Sequence, residues 1–262
     1  MIGIFGGSGF YELLEKSSEV EIKTPYGFPS DKVTIGEFAG KRVAFLPRHG
    51  KNHKFAPHTI PYRANIWAMK ELGATKIFGP CAAGSLQEEV RPGDFVICDS
   101  FVDRTHGRQD TFFELDDIRH VSSAKPYCSK LRSIAMESAE ELGITAHNGG
   151  TVVVINGPRF ASVAESRWYT NCGFSVINMT GYPEVILANE LGVCYINISL
   201  ITDYDCGLEG NGGKKASNVN EIFETFKKNN EQVKKMIFKM IEKVEDKPCF
   251  ACHQKAEQAK IK

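Results

Sequence analysis

Short apolar runs and helical stripes alternate along this chain. Residues 2–5 (IGIF) are apolar and stop in Gly6-Gly7-Ser8-Gly9, and residues 43–46 (VAFL) stop in Pro47-Arg48-His49-Gly50. Brief apolar runs closed by glycine or proline predict buried strands. Residues 62–72 (YRANIWAMKEL) instead place their apolar positions on one helical face, with Gly73 as the cap. The alternation continues with strands at 76–79, 95–98, 151–155, 175–178 and 194–201, and helices at 129–142, 161–172, 183–191 and 220–244. That order predicts one α/β domain over residues 1–245, a mixed, mostly parallel central sheet flanked by helices. Residues 246–262 lack apolar periodicity and are predicted to form a loose tail. The glycine-rich stretch 207–213 is predicted to be a mobile lid.

Composition narrows the class. The chain has 262 residues, with 32 basic and 32 acidic side chains, so no net field favours nucleic acid or an anionic membrane. No apolar run reaches 18 residues and the first ten lead straight into a glycine turn, which predicts a cytoplasmic protein with neither a membrane span nor a signal peptide. Eight cysteines are scattered through apolar segments, as expected of buried thiols in a reducing compartment. Cys249-Phe250-Ala251-Cys252-His253 resembles half of a zinc site or a haem-attachment motif, but a single pair lacks the second half, and no metal is expected.

Candidate chemistry collects at predicted strand ends. The run 195–201 ends in Thr202-Asp203-Tyr204-Asp205. Residues two apart on a strand share a face, roughly 6.6 Å apart, so both carboxylates look into one space. Such a pair suits a polar heterocycle with adjacent nitrogen and exocyclic groups. Arg48 and His49 follow another strand and suit an anion, as does the Gly6–Gly9 turn with the Ser8 hydroxyl. A small-residue turn at 81–85 and Asn178-Met179-Thr180 complete the series. Open α/β sheets bind ligands at the carboxyl ends of their strands, so the layout predicts an anion at one side and a heterocycle at the other, with a sugar between.

These residues carry a resemblance. Gly6-Gly7-Ser8-Gly9, Pro47-Arg48-His49-Gly50, Asn65-Ile66-Trp67-Ala68, Ala82-Ala83-Gly84-Ser85-Leu86, Asp103-Arg104-Thr105, Gly157-Pro158-Arg159-Phe160, Asn178-Met179-Thr180, Pro183-Glu184 and Thr202-Asp203-Tyr204-Asp205 resemble the methylthioadenosine phosphorylase family, in the trimeric branch of purine nucleoside phosphorylases. The resemblance implies phosphorolysis of a purine nucleoside to free base and (5-methylthio)ribose 1-phosphate, with phosphate as substrate and no cofactor. It implies a homotrimer or a dimer of trimers. It assigns phosphate to Ser8, Arg48, His49, the Ala82 backbone and Thr180. Met179 would line the ribose, Phe160 would pack on the base, and Asp203 and Asp205 would hold its 6-position and N7, Asp205 as general acid. His120 would serve the 5′ side of a neighbouring subunit's pocket.

The family pattern is broken at Asn156, Ala161, Gly181-Tyr182 and Gly207. These departures resemble a prokaryotic subgroup acting on 6-oxopurine nucleosides or methylthioinosine, so the expected substrate is a 6-oxopurine nucleoside, with methylthioadenosine as the alternative. A non-catalytic nucleoside-binding module is a remote alternative. A nicotinamide-dependent oxidoreductase is disfavoured because the first turn lacks the third spaced glycine of a dinucleotide fingerprint.

Overall fold

The computed structural model describes residues 1–6, 14–208, 219–245 and 247–261. Its sheet is organised about β5 (Lys76–Ser85). On one side β5 pairs in parallel with β1 (Ile2–Gly6), which pairs in parallel with β4 (Lys41–Pro47). On the other it pairs in parallel with β11 (Cys194–Tyr204), from Cys194 opposite Lys76 to Tyr204 opposite Ser85. β2 (Glu15–Val20) and β3 (Val33–Phe38) extend the β4 edge antiparallel. The far end of β5 meets β10 (Val176–Asn178) antiparallel, followed in parallel by β9 (Thr151–Ile155) and β7 (Ser100–Arg104). β6 (Phe95–Ile97) joins β11 antiparallel and β8 (Ala146–Asn148) in parallel. The sheet is therefore mixed and mostly parallel.

The central strands are apolar on both faces because both faces are covered. Ile2, Ile4, Val43, Phe45, Ile196 and Ile198 pack on one side with α2 (Ser129–Glu141) and α5 (Val219–Lys243). Phe5, Ala44, Leu46, Tyr195 and Ile201 pack on the other with α1 (Tyr62–Glu71) and α4 (Gly181–Glu190). α3 (Val163–Asn171) begins in a capping box, Ser162 accepting from the Glu165 N–H and Glu165 accepting from the Ser162 N–H. It packs against a single 3-10 turn, Cys206–Leu208, that follows β11. No described helix is long and apolar enough to cross a membrane.

Several expectations need correction. The tail predicted to be loose contains α6 (Phe250–Gln258), which packs on α4 with Cys252, Ala256 and Ala259 buried. Its stripe has helical spacing but is made of small residues, so it carries little hydrophobic signal. Of the predicted lid, Gly207 and Leu208 are buried in the 3-10 turn, and residues 209–213 lie outside the described residues. Trp168 is 50% exposed on α3, beneath the Arg104 guanidinium. β2 escapes the strand pattern because none of its residues is buried.

Candidate active site

β5 acts as the ruler of the site. Its first three residues run beside β1, the pairing ending at Phe78 opposite Ile4, and from there β11 follows it on one side while β10 joins the other only at Gly84 and Ser85. Arg48 enters where β1 and β5 diverge: its N–H bonds to the Gly6 carbonyl, and its Nη1 donates to the Pro80 carbonyl at 2.8 Å. Ala82 is exposed although it lies between buried Cys81 and Ala83 in the centre of the sheet. An exposed side chain there requires a hollow above the strand. Gly84 and Ser85, two and three residues on, face Asp203 and Tyr204 in register. At roughly 3.3 Å per residue the anion corner at Pro80–Ala82 and the acid corner at Gly84–Ser85 are separated by about one sugar ring.

Arg48 is not a free clamp. It is only 4% exposed, and its Nε and Nη2 donate to Glu184 Oε1 and Oε2 at 2.6 and 3.1 Å. Glu184, on the first turn of α4, is fully buried and also accepts from the Tyr195 hydroxyl at 2.6 Å. Burial opposes the charge on Arg48, yet the neighbouring Glu184 carboxylate outweighs it and drives the guanidinium pKa further up. A Cβ at Gly79 would overlap the Tyr195 hydroxyl, so this glycine leaves room for the hydrogen bond. The pair fixes one edge of the guanidinium, and its remaining N–H groups are available toward the corner.

His49 departs from the expected protonated donor. Its Nδ1 lies 2.9 Å from the Phe55 carbonyl, which only accepts, so Nδ1 carries the proton. Burial, with the nearby Arg48 charge, pulls its pKa down to about 4. The ring is neutral at pH 7, stacks on His53 with centroids 4.1 Å apart, and offers Nε2 as an acceptor. Ser8 lies outside the described residues. Thr180 is buried at the N-terminus of α4, where its N–H and that of Gly181 point to Asn178 Oδ1. Asn178 Nδ2 donates to Cys81 Sγ at 3.2 Å, which brings the Thr180 turn against β5 beside Ala82. A helix N-terminus adds favourable field for an anion here.

At the other corner a bulge after Ile201 brings Asp203 opposite Gly84. Asp203 Oδ1 accepts from the Thr202 hydroxyl at 2.7 Å. Burial, opposed by that hydrogen bond and aided by the Asp205 charge, pushes its pKa up to about 6. Asp205 is 7% exposed, and burial likewise raises its pKa, against hydrogen bonds from Ser166 and the Cys206 N–H. Its Oδ2 is buried without a hydrogen-bond partner among the described residues. A buried orphan carboxyl oxygen leaves one hydrogen-bonding position open at this corner.

Met179 is half-buried, and its carbonyl accepts from Arg108 Nη2 at 2.8 Å. Phe160 is 52% exposed on the loop before α3. His120 is exposed on a loop fastened to the C-terminal segment, its N–H donating to the Ala259 carbonyl at 2.9 Å. No hydrogen bond among the described residues joins it to the strand-end groups.

Four contributors received no role from the sequence. Glu184 and Tyr195 hold Arg48, and neither has a local signature that reveals the other. Ser166, fully buried on α3, accepts from the Gly207 N–H at 2.8 Å and buttresses Asp205. Arg108 gathers the carbonyls of Asn156, Met179 and Tyr182 and the Tyr62 hydroxyl, so it shapes the segment between β10 and α4. An isolated arginine in a loop gives no warning of this.

An anion corner and an acidic corner one sugar apart, on a mostly parallel sheet, define an enzyme of the nucleoside phosphorylase class. The phosphorylase superfamily model matches residues 1–243. S-methyl-5′-thioadenosine phosphorylase of Pyrococcus abyssi is 50% identical over 249 residues, covering 95% of each chain. That of Mycolicibacterium smegmatis is 47% identical over 254 residues, covering 96% of this chain and 95% of its own. Among solved structures, methylthioadenosine phosphorylase from Schistosoma mansoni in complex with adenine superposes with a TM-score of 0.92 at 33% identity, covering 99% of this chain and 98% of the other. The chain belongs to the methylthioadenosine phosphorylase/purine nucleoside phosphorylase family. It is a pentosyltransferase that uses phosphate to release a free base and a ribose 1-phosphate from a purine nucleoside.

The expected 6-oxopurine preference finds no support among these relatives, which are about half identical over nearly the whole chain and are S-methyl-5′-thioadenosine phosphorylases, the alternative reading. The departures that suggested it have local structural causes. A Cβ at Gly207 would overlap Ser166 and the Arg167 backbone. Ala161 is buried in a small cluster with Leu86 and Tyr169, and the Tyr182 hydroxyl donates to Asp110 at 2.6 Å. Asn156 bonds to the His106 N–H at 3.3 Å. Of these contacts only that of Gly207 with Ser166 reaches the acid corner, through the Ser166 bond to Asp205.

Proposed function

We propose that the substrate is S-methyl-5′-thioadenosine, cleaved by phosphate to adenine and 5-methylthioribose 1-phosphate. The observation that carries this reading is the carboxyl pair at the end of β11, with Asp203 half-buried and Asp205 buried with one oxygen unpartnered among the described residues. With a pKa of about 6, Asp203 is largely ionised at neutral pH and accepts a hydrogen bond from a 6-amino group. A 6-oxo group would set two acceptors against each other. Asp205, raised by burial, donates a proton to N7 through its unpartnered oxygen as the glycosidic bond breaks.

The phosphate occupies the corner formed by Ser8, Arg48, His49, the Ala82 backbone and Thr180. Neutral His49 accepts from a protonated phosphate oxygen or a ribose hydroxyl, while Arg48 and the α4 N-terminus carry the charge interaction. Phosphate attacks C1′ as the sugar becomes cationic, and its own negative charge stabilises that sugar across the hollow. Met179 lines the ribose and Phe160 covers the base. The enzyme works as a homotrimer in which the exposed His120 of each subunit reaches the 5′ side of the next subunit's pocket.

The deciding experiment compares methylthioadenosine, adenosine, methylthioinosine, inosine and guanosine with and without phosphate. Highest kcat/KM on methylthioadenosine, with strict phosphate dependence, is expected. Faster release of hypoxanthine than of adenine would overturn the reading.

A further inference from the structure

We propose that Cys128, Cys194, Cys249 and Cys252 form a closed tetrathiolate site for a zinc-class divalent cation that fastens α6 to the sheet. The four Sγ atoms all lie within 4.8 Å of one another. Zn–S bonds of about 2.3 Å set tetrahedrally require S···S edges of roughly 3.8 Å, so side-chain adjustments of an ångström or less complete the geometry. The sequence offered only Cys249-x2-Cys252 and no second half. Folding supplies it: Cys128 caps α2 and Cys194 opens β11, 55 or more residues upstream.

The surroundings suit thiolates around a cation. Cys128, Cys194 and Cys252 are buried and Cys249 half-buried, as in sites that keep no open position for a substrate. Four thiolates around a divalent cation leave two negative charges. Lys76, Lys130 and Lys247 line the same small hollow as Cys128, Cys194 and Cys249. Two disulfides would satisfy the sulfurs in pairs, but they require no mutual approach of all four, which is what the fold provides.

The position argues for a structural role. Cys194 opens β11 and Asp205 follows its last residue, roughly 36 Å away at strand rise, so the cation would not touch the nucleoside. It would hold the segment that carries Lys255, whose Nζ donates to the Lys125 carbonyl at 2.7 Å, and Ala259, which accepts from the His120 N–H. An isolated bridge also joins Arg119 to Lys260. Anchoring α6 thereby anchors the 119–125 loop.

The test measures metal on the full chain purified without chelator, by elemental mass spectrometry, before and after the thiol reagent p-hydroxymercuribenzoate. About one equivalent of zinc per chain, released by the reagent and reduced at least tenfold in Cys249→Ser/Cys252→Ser, is expected. Reduced protein stripped of metal should take up one equivalent of added zinc, with slower amide exchange at residues 119–125 and 250–260. Because wild-type uptake is read directly, misfolding of the variant does not decide the outcome. Failure of the reduced wild-type chain to bind zinc, or an intact mass lower by about 4 Da from two disulfides in the freshly purified protein, overturns the proposal.

Discussion

Arg48 and Glu184, 136 residues apart, meet as a two-point ion pair of 2.6 and 3.1 Å with both side chains at least 95% buried. The corner proposed for phosphate therefore rests on an ion pair already formed within the protein. Such a pair adds little net stability over apolar packing, but loss of one partner leaves a buried charge uncompensated. Glu184→Gln should cost about 3–5 kcal/mol in urea unfolding and raise the KM for phosphate more than that for nucleoside. Tyr195→Phe, which removes a single hydrogen bond to the carboxylate, should cost about 1.5–3 kcal/mol. Equal effects on the two KM values would separate the ion pair from phosphate binding.

Asp205 is expected to matter through the leaving base. Asp205→Asn should lower kcat about 100- to 10,000-fold on methylthioadenosine. An N7-methylated nucleoside, whose base departs without a proton, should lose far less. A uniform loss across both substrates would assign Asp205 to binding and not to proton donation.

Asp203 gives a pH signature. With its pKa at about 6, the carboxylate that accepts from a 6-amino group is lost as pH falls through that value. The kcat/KM for methylthioadenosine should therefore drop on the acidic side of about 6, and Asp203→Asn should flatten that limb while shifting preference toward methylthioinosine. An unchanged acidic limb in the variant would place the titration elsewhere.

His49 makes a separate prediction about stability. The folded protein holds it neutral down to about 4, against 6.5 for an ordinary histidine. Between those values the unfolded chain binds a proton that the folded chain does not, so stability falls as pH drops through this window. His49→Asn should weaken the pH dependence of the urea midpoint there, measured from about pH 7 to pH 4. A midpoint that tracks wild type throughout would contradict a buried neutral ring.

The central buried strands and the residue types at their ends were legible because their signals are local. The apolar run 194–201 and the two aspartates after it form one strand and its end, and Gly50 or Gly73 marks a turn wherever it occurs. Long-range partnership had no such trace. Nothing near Arg48 announces Glu184, nothing near Asp205 announces Ser166, and Arg108 gains its role only because three carbonyls converge on it. α6 was missed since Cys252, Ala256 and Ala259 bury too little area to stand out from a polar tail.

The sequence by itself determined the buried central strands and which residue types stand at their carboxyl ends, since backbone periodicity and turn chemistry act over a few residues. Tertiary structure alone decided which charges are paired, which acids burial holds toward protonation, and that four cysteines from three parts of the chain share one small volume. Those properties depend on distance and dielectric, which exist only once separate segments have packed together.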